Sequence, residues 1–208
     1  MDPEGVDGSS PHDAGRRQGD HRAARSQEVL IELHDGIRLR ALQRSDGAAV
    51  VSAYRRNRRH LAPWDPLREE VFFSGDEQDR LIATACDDRD AGRCAPFVLT
   101  RDDDDAIVGR VNINNIVRGA FDSADLGYWM DVSLVGKGLM TRAVAEVREH
   151  ASSVLGLHRL QAATLVRNTA SQRVLRSNGF TLIGRAPKYL RIAGEWQDHD
   201  LFQRILVD

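Results

Sequence analysis

Apolar and polar positions alternate over Val29–Leu33 and again over Ile37–Leu42, on either side of Asp35-Gly36. Two alternating runs about a turn dipeptide predict a β-hairpin. Ser45 or Asp46 can cap a helix running to about His60, with Val50, Ala53, Tyr54 and Asn57 on one side. A proline-broken loop over residues 61–66 follows. The next periodic stretch, from about Asp76 to Asp88, predicts a second helix with Leu81, Ile82 and Ala85 inward. Residues 95–101, 106–119 and 123–131 read as three strands, the first two joined by the acidic turn Asp102–Asp105. Met140, Ala143, Val144, Val147, Ala151 and Val154 form one stripe of a helix from about Lys137 to Leu155. A strand over 158–166, a helix over 169–178 and closing strands over 180–191 and 196–207 complete the pattern. Gly179 stands where a helix C-terminus takes a positive φ. The order ββ-α-α-βββ-α-β-α-ββ describes an α/β (α+β) fold with one mixed, mostly antiparallel sheet.

The 208 residues suit one domain. Residues 1–27, rich in Gly, Asp, Arg and Ser, offer almost nothing to bury, so a flexible tail is expected there and a single domain over 28–208. Lys+Arg 29 against Asp+Glu 31 gives a formal charge of -2, which provides no global attraction to DNA or to an anionic membrane. Apolar runs fall short of the roughly 20 residues of a membrane helix, and the start lacks a secretory signal, so a cytoplasmic protein is expected. Two cysteines, Cys86 and Cys94, make neither a CxxC pair nor a metal ladder with histidines, and no metal is expected.

Val135-Gly136-Lys137-Gly138-Leu139-Met140-Thr141 lies between a strand and a helix. Freed backbone N–H groups at a helix start, aided by the helix dipole, make an anion cradle. The run is neither a P-loop nor a dinucleotide fingerprint: Gly138 follows Lys137 where Ser or Thr would stand, and Thr141 takes the third glycine place. An ordinary strand–helix turn would also explain it. Lys137 and Arg142, however, oppose the dipole in the first turns. Arg167, Arg173 and Arg176 gather about the next strand–helix junction. A ligand carrying several phosphates reconciles these charges.

Taken in order, Leu126-Gly127-Tyr128-Trp129, Gly136-Lys137-Gly138, His158-Arg159-Leu160, Asn168 with Ser171, and Gly179-Phe180 resemble the GNAT superfamily of acyl-CoA N-acetyltransferases. The stretch Tyr189-Leu190 … Gly194-Glu195-Trp196-Gln197-Asp198-His199 and the loop Leu61-Ala62-Pro63-Trp64 resemble its ribosomal-protein N-terminal branch, the RimJ/RimL type. The likeness spans about residues 36 to 206. It implies a central sheet of about seven strands flanked by about four helices and splayed at the acyl-CoA site. It also implies acetyl-CoA as co-substrate, its pyrophosphate on the amides of Val135, Gly136, Lys137, Gly138, Leu139, Met140 and Thr141. The pantetheine arm would pair with Met130, Asp131 and Val132, and Asn168, Ser171 and Arg173 would complete the cofactor contacts.

Amide formation needs a neutral amine, a donor for the developing oxyanion and a proton for the thiolate. A strand amide near Met130 can serve the oxyanion. Ser171 is the candidate proton donor, and a helix serine bonded to its own backbone is the competing reading. RimL-like members carry an acid just before the closing-strand tyrosine, where this chain has Lys188. Asp125 is then the candidate base through water, unless it is a plain strand-edge carboxylate. Deprotonating an α-amine of pKa ~8 at pH 7 costs about 1–1.5 kcal/mol, against about 4.5 for a lysine. A weak base therefore suits an N-terminal amine. Trp64, Tyr128, Tyr189 and Trp196 either line the acceptor groove or belong to the core. Asp198 and His199 either orient the acceptor or satisfy a turn beside Gly194.

These readings converge on direct acetyl transfer to a protein or peptide N-terminus by a monomer or homodimer. A small-molecule acceptor and a silent CoA-binding module remain as alternatives. Ribosome association through the tail or through Arg55-Arg56-x-Arg58-Arg59 would be compatible with any of them.

Overall fold

The computed structural model describes residues 30–207, so the expectation for the tail lies outside the described residues. The opening hairpin is β1 (Leu30–Glu32) and β2 (Ile37–Ala41), turning through Asp35 and Gly36 at positive φ. The helix α1 (Gly47–Leu61) follows Asp46, whose carboxylate does not cap it. Asp46 instead accepts from the Gln43 N–H and from Arg40, both at 2.8 Å. Ser74 does cap α2 (Gly75–Asp90), accepting from the Glu77 N–H. Strands β3 (Ala95–Arg101), β4 (Ile107–Val117) and β5 (Ser123–Met130) form an antiparallel meander. Then come α3 (Leu139–Ser153), β6 (Arg159–Leu165), α4 (Thr169–Ser177), β7 (Thr181–Ile192) and β8 (Glu195–Ile205).

One sheet runs β1-β2-β3-β4-β5-β6-β8-β7, and β5–β6 is its parallel neighbour pair. Among the described residues it has eight strands, since both arms of the first hairpin and both closing strands join it. Strand side chains alternate between faces, so the sheet buries two layers. On one face Leu39, Phe97, Val111, Ile113, Leu126, Leu160 and Phe202 pack against Met140, Val144 and Val147 of α3 and Leu175 of α4. On the other, Val98 and Ile107 pack under Val50, Ala53 and Tyr54 of α1 and Ile82 of α2. Each fully buried Leu, Ile or Val contributes about 2 kcal/mol by leaving water. The two layers together clamp the strands whose ends carry the site.

Candidate active site

The parallel pairing of β5 with β6 lasts only three residues: Ser123 faces Arg159, Ala124 faces Leu160 and Asp125 faces Gln161. Beyond it, Leu126–Met130 pairs with β4 alone and Ala162–Leu165 with β8 alone. The sheet is therefore notched at its middle. The Asp131 N–H donates to the Val108 carbonyl at 2.7 Å. Antiparallel residues alternate in the direction of their polar groups, so the Met130 N–H points away from β4, into the notch.

The loop leading into α3 takes Gly136 at φ +86° and Gly138 at φ +79°, and a Cβ at either would meet nothing within 4 Å. Among the described residues, the N–H groups of Gly136, Lys137, Gly138, Leu139, Met140 and Thr141 have no protein acceptor; the helix ladder begins with Arg142 donating to Gly138. This is an open row of donors at a helix N-terminus, suited to phosphate. Val135, half-exposed, flanks the row at the end of a short 3-10 turn. Arg142 is paired with Glu146 at 2.8 Å. Arg173 and Lys137 are exposed.

Across the notch, Asn168 accepts from the Ser171 N–H at 3.1 Å and caps α4. The Tyr128 hydroxyl lies 2.9 Å from Ser171 Oγ and 3.1 Å from the Ser171 carbonyl. If Tyr128 donates to that carbonyl, its oxygen accepts from Ser171; if it donates to Ser171 Oγ instead, the Ser171 hydroxyl proton is free for another acceptor. Burial pushes the Tyr128 phenol well above its ordinary value, against the pull of its bond to Ser171. Tyr128 thus turns toward α4, on the face of the sheet that packs against α3.

Asp131 and Val132 are committed to the fold. The buried Asp131 carboxylate accepts from Arg56 Nε at 2.7 Å, Asn57 Nδ2 at 2.9 Å, and the Ser133 N–H and hydroxyl at 3.0 and 2.7 Å. Burial raises its pKa, but those four donors outweigh burial and hold it well below the carboxylate range. The Val132 N–H donates to Asn57 Oδ1 at 3.0 Å. Of the strand end expected to meet pantetheine, the Met130 amide is the donor left facing the notch.

The pattern described as the Acetyltransferase (GNAT) domain matches residues 37–181. The chain belongs to the GNAT acetyltransferases. It is 32% identical to the probable N-acetyltransferase YjcK of Bacillus subtilis, over 79% of this chain and 91% of that one. It is 30% identical to the Escherichia coli [Ribosomal protein uS5]-alanine N-acetyltransferase, over 80% of this chain and 86% of that one. Among solved structures, the ribosomal-protein-S5-alanine acetyltransferase of Vibrio fischeri is 34% identical with a TM-score of 0.84, covering 87% of this chain and 98% of the other. RimJ of Mycobacterium smegmatis, solved with CoA-disulfide, is 31% identical with a TM-score of 0.76 and covers 81% of each chain. The open amide row and the notch fit a CoA thioester in this GNAT fold.

The sheet has a second face, toward α1 and α2. Arg110, Asn112 and Asn114 of β4 lie opposite Trp129, Gly127 and Asp125 of β5 there. Asp125 is exposed and accepts from Asn115 Nδ2 at 2.8 Å, so Asp125 and Ser171 stand on opposite faces of the sheet. The 61–66 loop roofs this side. Arg167 donates to the Pro63 carbonyl at 3.0 Å, bonds Gln197 and lies over the Trp64 ring at 5.5 Å. The Ala193 N–H donates to the Asp65 carbonyl at 2.9 Å. Arg167 therefore clips the loop to the closing strands, through Pro63 and Gln197. Arg176 lies over Phe202. Burial raises the Asp65 carboxyl in a pocket it shares with Tyr54, Leu61 and Phe72.

His199 is buried, its Nδ1 2.9 Å from the Gln197 carbonyl and its ring 5.7 Å from that of Tyr189. Asp198 accepts from the Lys188 N–H at 2.9 Å, bracing a β7 bulge where Lys188 takes φ +50°. Trp196 is 62% exposed. Within the basic run, Arg56 is held by Asp131, and Arg58 pairs with Glu70 and covers Phe73. Sequence reasoning missed the Asn57–Asp131 joint, although an Asn on an apolar helix stripe was a signal. It also missed Asn178, which donates to the Thr141 carbonyl at 3.1 Å and ties α4 to the first turn of α3.

Proposed function

We propose that this GNAT enzyme acetylates the N-terminal α-amine of a ribosomal protein, by direct transfer from acetyl-CoA in the cytoplasm. The observation that carries the reading is the notch: β5 leaves β6 after Asp125, an open row of amides follows the free end of β5, and a polar row of β4 and β5 side chains lies on the other face. The relatives named for the alanine of ribosomal protein uS5, at 30% and 34% identity, supply the acceptor class.

Acetyl-CoA supplies an acyl group already activated toward amines. The Gly136–Thr141 amides hold its phosphates by their dipoles and unshared N–H groups. The Met130 N–H is the proposed donor to the oxygen on which negative charge builds. Asp125, on the acceptor face and further back along β5, takes the amine proton through a chain of waters; an α-amine asks little of a base at neutral pH. With the Tyr128 hydroxyl donating to Ser171 Oγ, Ser171 gives its own proton to the departing sulfur, and solvent water returns a proton to Ser171. Both thiols stand apart from this path. Cys86 is fully buried between α2 and the sheet, its thiol raised by burial, and burial pushes Cys94 up to about 11.

The test is mass spectrometry of peptides incubated with the protein and acetyl-CoA, each carrying a free N-terminus, a blocked N-terminus with free lysine, or neither. The mass of one acetyl group gained on free N-termini alone is the expected result. Gain on lysine, or none at all, overturns the reading.

A further inference from the structure

The acceptor face holds polar atoms that the fold leaves unsatisfied. Asn112 Oδ1, Trp129 Nε1 and Arg110 Nε are each buried without a hydrogen-bond partner among the described residues. Buried polar groups are nearly always paired, and an orphan forfeits the bonds it would make to water. These three are not scattered. Arg110 faces Trp129 directly and Asn112 faces Gly127, on one strip of β4 and β5. Gly127 leaves a gap in that strip: a Cβ there would meet only Asn114 Nδ2, at 3.8 Å. The gap lies two residues past the last β5–β6 pair, at Asp125 and Gln161, and so at the root of the notch. Trp129 cannot swing freely, because its ring lies 5.2 Å from that of Tyr54.

We propose that Asn112 and Trp129 seat the first residue of the acceptor: Asn112 Oδ1 accepts from its amine, the Trp129 indole N–H donates to its carbonyl oxygen, and its α-carbon occupies the gap over Gly127. The subsite rests on the N-terminal reading above and deepens it. An amine and a carbonyl separated by one carbon are what every peptide N-terminus presents, whatever its sequence. An amide oxygen suits the nucleophile, since it accepts from a neutral amine without stabilising the ammonium as a carboxylate would. Asn112 Oδ1 and Trp129 Nε1 are then satisfied when the peptide arrives, and the fold carries their cost until it does.

The test is steady-state kinetics of the full chain at saturating acetyl-CoA, with a short peptide beginning in alanine, beside thermal unfolding and acetyl-CoA titration. Trp129→Phe keeps the ring and removes the N–H, and Asn112→Leu keeps the volume and removes the oxygen. Each raises the peptide KM about tenfold while acetyl-CoA affinity holds. Asn112→Leu also holds or raises the thermal midpoint, because it removes an orphan; a structural asparagine would lower it. Gly127 has an ordinary φ, so Gly127→Ala fills the gap with one methyl and raises the same KM without straining the backbone. Wild-type acetylation of free N-termini with an unchanged KM in all three variants overturns the subsite alone. A wild type that acetylates no peptide overturns the N-terminal reading and the subsite with it.

Discussion

The two sides of the notch are built in different ways. On the side of α3 and α4, the amide row proposed for phosphate consists of backbone from six consecutive residues, Gly136 to Thr141, whose conformation rests on two glycines at positive φ. On the side of α1 and α2, the wall proposed for the acceptor is made of side chains from β4, β5, the 61–66 loop and β8, brought together by strand register and clipped by Arg167. Backbone reads a group that never varies, such as pyrophosphate. Side chains read what can differ between acceptors. The first side is thus expected to fail all at once and the second by degrees.

The largest effect should come from the backbone side. Gly136→Asp puts a carboxylate among the amides proposed to hold phosphate and strains a positive-φ position, so acetyl-CoA should no longer raise the thermal midpoint. A variant still stabilised by acetyl-CoA would show that the row is not the phosphate site. Next comes the joint between the two sides. Asp131→Asn breaks a buried network linking α1 to the turn before α3, and should cost about 3 kcal/mol in urea unfolding. The sign of its pH dependence follows from its lowered pKa. The stability it contributes is complete above the unfolded value near ~3.9 and is lost as pH falls through the lower folded value. Below about pH 4 the wild type should therefore converge on Asp131→Asn.

Ser171→Ala tests the proton donor and sharpens the contrast. It should lower kcat roughly tenfold to a hundredfold and leave the acetyl-CoA KM near its wild-type value. Equal losses in both would make Ser171 a binding residue of the α4 cap. The smallest effect belongs to the thiols. Cys86→Ala with Cys94→Ala should leave turnover intact, with some loss of stability from the cavity at the fully buried Cys86. Abolished turnover in a folded double variant would end the direct-transfer mechanism.

Much of the fold was legible because its signals are local. The stripe of Met140, Ala143, Val144, Val147 and Ala151 marked α3, and these residues are buried. The dipeptide Asp35-Gly36 marked the first hairpin, and Gly179, at φ +75°, marked the end of α4. Asp46 shows where local reading stops: a good capping residue instead pairs with Arg40, because β2 brings a guanidinium within 2.8 Å. Tyr128 shows the same. Its alternation with Gly127 and Trp129 was plain, but only the placement of α4 decided which face carries Ser171. Arg167, one of three arginines near a helix start, was claimed by a carbonyl more than 100 residues away in sequence, at Pro63.

By itself, the sequence determined the order of elements, the two buried stripes and the glycine-spaced amide row, since each depends on neighbours within a few residues along the chain. Tertiary structure decided where β5 parts from β6, which hydroxyl meets Ser171, how Asn57 and Arg56 hold Asp131, and which strand row buries Asn112 Oδ1 and Trp129 Nε1 unsatisfied. Those outcomes depend on strand order and on the packing of helices against the two faces. Pairing over long sequence separations is fixed only when the whole sheet closes around its core.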